Sequence, residues 1–414
     1  MSSLLRPSPG QLLWQRDRSF AIFCHLGVNT FNGLEWSDGT LSPETFNPTD
    51  LDCRQWVNVA KSSGASHVIL TAKHHDGFCL WPTNTTDYSV ASSSWKQSRG
   101  DVVAELAQAC READLGLGLY CSPWDRHQKS WSEDPSAYDA LYLEQLRELC
   151  TNYGPLVEVW FDGAGSENHP YDWPSIMDLV EALQPEAMIF NMGRPTIRWV
   201  GNEDGLASDP CWYTVRETAV SVYTDDAAPV GDGTHYLPPE CDVSIRKNWF
   251  WQPDDSETLK SLDHLLAIWY RSIGLGANLL LNIAPNREGR LDAADVARLE
   301  EFTEAIATRF ANPILADLHH VGNRITATFP DEVEVDHLRL VESIEEGQRI
   351  GVHRILTGDT VLVDGVHTIG IRRIHAFPVV RARTIVIEID DPEARLLSVE
   401  AFHTGIDRIP QLPF

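Results

Sequence analysis

Leu156-Val157-Glu158-Val159-Trp160-Phe161, followed at once by Asp162-Gly163, is a short apolar run that ends in a charge. Its β-branched and aromatic content and the turn signal behind it read as a buried strand. Seven other runs share this texture, at residues 20–25, 67–73, 115–121, 188–191, 197–200, 241–245 and 278–283. Helical patterns lie between several of them, at 51–63, 101–113, 138–153, 173–183 and 256–274. Asp101 and Ser256 are placed to cap helix starts, and Gly64, Gly154 and Gly274 to end helices. Short strands alternating with helices specify a parallel α/β fold, and eight strands is the number that closes a barrel.

The expected class is therefore α/β: a distorted (β/α)8-like barrel, with a doubly wound open sheet as the alternative. The distortion is legible. Only a few residues separate the fifth and sixth strands, too few for an ordinary crossover helix. Between the sixth and seventh runs an Asp-, Gly- and Pro-rich stretch, residues 224–239, reads as a surface loop. One or two helices should be missing.

After a helical pattern at 292–310 the texture changes to alternating β-rich runs at 324–329, 335–341, 349–356, 360–363, 368–371, 384–389 and 396–402, with Asp364-Gly365 as one of the turns. That alternation signals an antiparallel β-sandwich. The expected division is a catalytic barrel over residues 1–312 and a C-terminal sandwich over 313–414.

The 414 residues are 43% hydrophobic, which supplies a sizeable core, and the net charge of −27 opposes nucleic acid and anionic membranes. No run of about 18 apolar residues is present to span a bilayer. The first twenty residues lack the apolar core of a signal peptide, so the chain reads as cytoplasmic unless such a signal has been removed. The eight cysteines are scattered without a C-x-x-C pair, consistent with reduced thiols.

Barrel active sites lie at the C-terminal ends of the strands. Reading those ends in order gives His25, then Lys73-His74-His75-Asp76, Tyr120, Trp160 with Asp162, Asn191, Glu203, Asp242 and Asn282. One polar strand end is unremarked in any protein, and Asp162-Gly163 by itself is also a common turn. Polar groups at nearly every strand end point to a ligand site. Two carboxyls, Asp162 and Glu203, provide what glycoside hydrolysis needs: one ionised as nucleophile, the other holding a proton for the leaving oxygen. The fourteen tryptophans, several of them in the loops beside these carboxyls, suit the apolar face of a pyranose. Two other readings stay open: a carbohydrate-binding protein without catalysis, and a metal-dependent hydrolase using His25, His74, His75 and Asp162. Against the metal, adjacent residues on a strand face opposite ways, and no H-x-H, H-E-x-x-H or cysteine cluster is present.

The runs Phe23-Cys24-His25-Leu26-Gly27-Val28-Asn29, Leu34-Glu35-Trp36, Lys73-His74-His75-Asp76-Gly77-Phe78 and Val159-Trp160-Phe161-Asp162-Gly163, in this order, resemble glycoside hydrolase family 29, the α-L-fucosidases. The resemblance spans most of the first 290 residues. It implies a distorted barrel followed by a β-sandwich, and retaining hydrolysis of terminal α-L-fucose with no metal or cofactor. It implies Asp162 as nucleophile and His25, Glu35, Trp36, His74, His75, Tyr120 and Trp160 as fucose contacts. The run Arg198-Trp199-Val200-Gly201-Asn202-Glu203, with residues 240–246 later, is similar to the subgroup acting on α-1,3/4-linked fucose. That similarity implies Glu203 as acid/base, with Glu240 in reserve, and adds Arg198 to the substrate contacts. The implied partner is a fucosylated oligosaccharide or glycoconjugate.

Overall fold

The computed structural model describes residues 4–166, 169–216, 230–406 and 408–413. The first strands are β1 (Phe20–Cys24), β2 (His67–Lys73), β3 (Gly116–Cys121), β4 (Glu158–Trp160), β5 (Met188–Phe190) and β6 (Arg198–Trp199). A two-stranded antiparallel ribbon, β7 (Thr214–Val215) with β8 (His235–Tyr236), precedes β9 (Pro239–Ser244) and β10 (Asn278–Asn282). Eight of these form one parallel sheet in the order β5-β4-β3-β2-β1-β10-β9-β6, so each run expected to be a barrel strand is one. A lone parallel bridge, Phe190 to Ile197, joins the two ends of the sheet and makes the barrel nearly closed.

The period of two along each strand sorts side chains into two cores. Ala21, Phe23, Ile69, Tyr120, Trp160 and Leu280 fill the barrel interior. Their neighbours Ile22, Cys24, Leu70, Leu119, Phe161 and Leu281 face outward into the core shared with the helices. Those helices are α1 (Pro9–Asp17), α2 (Val28–Asn32), α3 (Cys53–Ser62), α4 (Val102–Ala113), α5 (Lys129–Glu133), α6 (Pro135–Asn152), α7 (Trp173–Leu183), α8 (Leu262–Arg271) and α9 (Ala293–Arg309).

Asp101 caps α4 as expected, its side chain accepting from the Ala104 N–H. Ser261, not Ser256, caps α8, because residues 256–258 form a separate 3-10 turn. Likewise Gly276, at φ +90, rather than Gly274 takes the left-handed position after α8. Among the described residues no helix follows β5 or β6, the predicted distortion. Of the expected loop 224–239, residues 224–229 lie outside the described residues, and the rest contains β8 and the first residue of β9. Helix α1 was not anticipated. It opens with a Ser8–Gln11 capping box and closes the N-terminal end of the barrel with Trp14, while Gln11 Nε2 donates to the carbonyls of Thr196 and Tyr236.

The C-terminal part is a seven-stranded antiparallel sheet: β11 (Ile314–Leu315), β12 (Asp317–Val321), β13 (Arg324–Glu342), β14 (His353–Thr357), β15 (Thr360–Gly365), β16 (Arg373–Ile389) and β17 (Leu396–Phe402). Two expected runs, 324–329 and 335–341, are one long strand, β13, broken in register between Thr328 and Val333 and again between Val335 and His337. Before the breaks β13 pairs with β12 and the end of β16; after them it pairs with β17 and the start of β16. The two long strands thereby carry both layers around a separate core that includes Ile325, Leu338, Ile355 and Ile385. Residues 368–371 form no strand, and Asp364-Gly365, expected as a turn after the run 360–363, lies within β15. The sheet is fastened to the barrel by Arg373, which donates to Asp209 at 2.8 and 2.7 Å, and by the Tyr213 hydroxyl, which accepts from the Ile371 N–H and donates to the Gly276 carbonyl.

All eight cysteines are buried and free. Among the described residues no helix is long and apolar enough to cross a membrane. Lys73 is completely buried, its ammonium donating to Asp125 (3.1 Å), Tyr138 (3.2 Å) and Gln145 (2.9 Å). It points away from the barrel mouth into the packing of α6, so this strand-end residue ties β2 to its helical layer. Removing one member of a buried ion pair strands the other charge. Lys73→Met is therefore expected to lower stability by about 3–5 kcal/mol, measured as a fall in the urea midpoint of unfolding.

Candidate active site

Side chains from the strand ends converge on one cavity. Phe23 and His25 come from β1, His74 and His75 from just past β2, Tyr120 from β3, and Trp160 and Asp162 from β4. The opposite wall is Asn191 after β5, Trp199 on β6 with Glu203 beyond it, Asp242 on β9, and Trp249; Trp36 stands at the rim, nearly half exposed. A larger opening, about 740 Å³, lies at the other end of the barrel beside Trp14, Arg18 and Gly116, where the strands begin. Barrel chemistry belongs to the end where they finish.

Asp162 is held as an acceptor on both oxygens. The Tyr120 hydroxyl donates to Oδ2 at 3.0 Å and the Ala164 N–H to Oδ1 at 2.9 Å. His75 Nε2 lies 3.5 Å from Oδ2. Glu203 accepts from Trp249 Nε1 at 3.3 Å. Burial pushes the Glu203 carboxyl above its ordinary range, and the nearby charges of Asp162 and Asp204 push it further. One carboxyl is thus held in a single orientation, and a second sits nearby with its pKa shifted upward.

The imidazoles are neutral and aimed. His25 Nδ1 lies 2.8 Å from Asn282 Oδ1, and the Asn282 amide N–H groups donate to Ser244 Oγ and the Trp249 carbonyl. That network puts the His25 proton on Nδ1 and leaves Nε2 free to accept from a sugar hydroxyl. Burial drives His25 down to about 3 and His74 well below its ordinary value. His74 Nδ1 and Asn191 Oδ1 are buried with no protein partner, as polar atoms reserved for a ligand would be. The two histidines both reach the cavity because β2 ends at Lys73 and the chain has left the sheet before them. Asn191 sits at φ +69, a left-handed conformation that asparagine tolerates. Gly77, at φ +87, is obligatory in the following turn, since a Cβ there would lie 2.3 Å from Asp125 Oδ1.

Three expected site residues are placed elsewhere. Arg198 is 3% exposed and donates to the carbonyls of Trp199 (3.1 Å) and Trp212 (3.2 Å). Neighbours on a strand face opposite ways, so with Trp199 turned into the cavity Arg198 must turn out. Glu35 does not line the cavity; its carboxylate accepts from the Trp249 and Phe250 N–H groups at 2.6 and 3.3 Å, which fixes the loop that presents Trp249. Burial raises it to about 7. Glu240, the reserve acid/base, is 1% exposed in the barrel interior beneath Trp160 and has no opening to a glycosidic oxygen. Conversely, Asp242 enters the cavity wall, accepting from Trp199 Nε1 at 2.6 Å. The alternation Glu240, Asp242, Ser244 along β9 was the signal that these three share a face. Among the described residues no group of three or more His, Cys, Asp or Glu side chains is arranged to hold a metal.

Residues 11–308 match the sequence profile described as alpha-L-fucosidase. Alpha-L-fucosidase 1 of Arabidopsis thaliana is 46% identical over 329 residues, covering 75% of this chain and 64% of that protein, so the match spans under two thirds of the plant relative. A provisionally named α-L-fucosidase from Bacteroides ovatus, 36% identical, superposes with a TM-score of 0.91 over 99% of this chain and 76% of that one. A Ruminococcus gnavus glycoside hydrolase family 29 fucosidase in complex with fucose, 29% identical, superposes with a TM-score of 0.87 over 98% of this chain and 96% of that one. With the profile match covering most of the chain and the barrel-mouth geometry in agreement, this chain belongs to the α-L-fucosidase family, glycoside hydrolase family 29.

Proposed function

We propose that the chain hydrolyses terminal α-L-fucose from oligosaccharides or glycoconjugates with retention of configuration. Asp162 is the nucleophile and Glu203 the acid/base. The observation that carries this reading is the pairing in one cavity of an aspartate held by the Tyr120 hydroxyl and the Ala164 N–H with a glutamate whose pKa its surroundings raise. The fucose complex of the R. gnavus relative supports the sugar. Fucose enters with its hydroxyls against His25, His74 and His75 and its apolar face on the aromatic wall. Asp162 attacks the anomeric carbon while Glu203 protonates the departing oxygen, giving a fucosyl-aspartate ester. Glu203, now a carboxylate, takes a proton from water as that water attacks the same carbon and releases Asp162. No metal or cofactor takes part. The resemblance of residues 198–203 to the α-1,3/4-acting subgroup supports branched Lewis-type glycans as substrates.

Asp162→Gly is expected to abolish hydrolysis while leaving the fold intact, and azide filling the vacated space should restore cleavage of an aryl α-L-fucoside with inversion, giving β-L-fucosyl azide. Hydrolysis of an aryl α-L-fucoside by that variant at near wild-type rate refutes the nucleophile assignment.

Glu203→Ala is expected to slow cleavage of a natural glycan by roughly 10²–10⁴-fold but to spare an aryl fucoside whose leaving group needs no proton. Breakdown of the fucosyl-aspartate then lacks its general base, and azide, which needs none, should speed that step and give α-L-fucosyl azide. Because the acid must be protonated, activity is lost as pH rises through the elevated pKa of Glu203. The alkaline limb of kcat/KM on a natural glycan should thus sit above the ordinary glutamate range and be absent from Glu203→Ala on the aryl substrate.

Offered a Lewis-type trisaccharide and a 2′-fucosylated lactose side by side, the chain should cleave the first and leave the second. Equal rates on both would remove the α-1,3/4 assignment.

A further inference from the structure

The interior of a (β/α) barrel is ordinarily filled by layers of branched aliphatic side chains. Here one layer holds two carboxyls. Glu158 on β4 and Glu240 on β9 are 0% and 1% exposed. Their strands are separated in the sheet by β5 and β6, so the two side chains meet across the barrel interior, where their carboxyls hydrogen-bond each other. Two buried carboxylates in contact cannot both be charged, so the pair must hold a proton between them. Glu158 Oε1 accepts from no N–H or hydroxyl among the described residues, which leaves it to the neighbouring carboxyl. Its other oxygen, Oε2, faces Trp14 Nε1 at 3.3 Å and His67 Nε2 at 3.5 Å.

The upper end of this pair is tied to the catalytic cavity. Trp160 Nε1 donates to Glu240 Oε1 at 3.1 Å. The Trp160 ring lies stacked on Phe190 (centroids 3.9 Å, 10°) and on Tyr120 (5.3 Å, 25°), and the Tyr120 hydroxyl donates to Asp162. Glu158 and Trp160 are two residues apart on one strand and so share its inward face. The stacks fix the plane of the indole, and Phe23 packs against it at a tilt (centroids 5.4 Å, 54°). Among the described residues the one hydrogen bond at its edge is that to Glu240.

We propose that Glu240, through the hydrogen bond it shares with Glu158, is a positioning residue that locks the Trp160 indole against Tyr120 and so holds the Asp162 carboxylate in line for attack. Burial raises both carboxyls, Glu158 to about 8; the Glu158 charge raises Glu240 further, while the Trp14 N–H and the charge of Arg18 act the other way on Glu158. The remaining titratable groups facing the pair are His67, held neutral by burial, and Asp242 above Glu240. The inference rests on the fucosidase reading of the cavity, since it concerns the geometry of that reading's nucleophile.

A double-mutant cycle in the full chain, assayed on an aryl α-L-fucoside, tests it. Glu240→Leu removes the acceptor, and Trp160→Phe keeps the stack but removes the N–H. Each is expected to lower kcat by roughly 10–10²-fold, the scale of a small misplacement of reacting groups. The double variant should lose no more than either single one, and Glu240→Gln, which still accepts from the indole, should keep most of the wild-type rate. Additive losses in the double variant overturn the proposal, as does a Trp160→Phe protein with wild-type kcat, which can be read even if Glu240→Leu does not fold. The shared proton has its own readout: an infrared difference spectrum between wild type and Glu240→Gln should contain the carbonyl band of a buried protonated carboxyl, and its absence refutes the pair. A wild-type chain inactive on every fucoside refutes the fucosidase reading instead, before any variant is compared.

Discussion

The Trp160 indole joins the packed interior of the barrel to its reactive mouth. It is 5% exposed, pressed between Phe190 and Tyr120, and bonded at its edge to a carboxyl buried beneath it. Its upper surface is the floor of the cavity, and two residues further on the chain delivers Asp162. A large, rigid side chain at this point constrains everything above it, because interiors packed at crystal-like density transmit displacement rather than absorb it. Tyr120 can donate to Asp162 only where the stack places its hydroxyl, and Asp162 can accept from Tyr120 and the Ala164 N–H together only in one orientation.

Electrostatics follow from the same packing. The chain is strongly acidic, and a small part of that acidity is directed inward: Glu158, Glu240, Asp242 and Asp76 are all nearly inaccessible. Burial disfavours the charged form, so Asp76 is pushed up to about 7 and Glu240 and Asp242 well above their ordinary values. Between Glu158 and Glu240 a protonated acid can donate where a carboxylate could only accept. At the rim, Glu203 is raised by its surroundings too, as the acid/base role proposed for it would need. The neutral histidines add hydrogen-bonding capacity without cationic charge beside Asp162. The supporting residues are as specific: Glu35 spends its carboxylate on the backbone of the Trp249 loop, and Asn282 sets the tautomer of His25.

Much of this was legible in the chain. Barrel strands are buried on both faces, so most appear as apolar runs; all eight were legible, although β6 and β9 carry polar residues (Arg198, Glu240, Asp242 and Ser244). The helix ends were legible where a local cap decides them, as at Asp101, and missed where two serines compete, as at Ser256 and Ser261. Strand β13 was read as two because its middle, Pro330-Asp331-Glu332, carries turn residues, whereas in the sheet these occupy a register break. Helix α1 escaped notice because its low amphipathicity hides a helix held by its cap and by Trp14 reaching into the barrel.

The sequence by itself determined the barrel, the following β domain and the rank of polar residues at the strand ends, because period-two burial and turn chemistry are local properties written into consecutive residues. It also carried the family motifs that single out Asp162. Which polar residues face the cavity was decided only by the tertiary structure. Arg198 and Trp199 differ by one position and by 180° in direction, and Glu240 and Asp242 share a face yet lie in different layers of the barrel. Strand direction, depth and the partners brought across the barrel from distant parts of the chain fix those outcomes. None of the three is encoded within any single run of residues, so the buried carboxyl pair beneath Trp160 exists only once the sheet has closed.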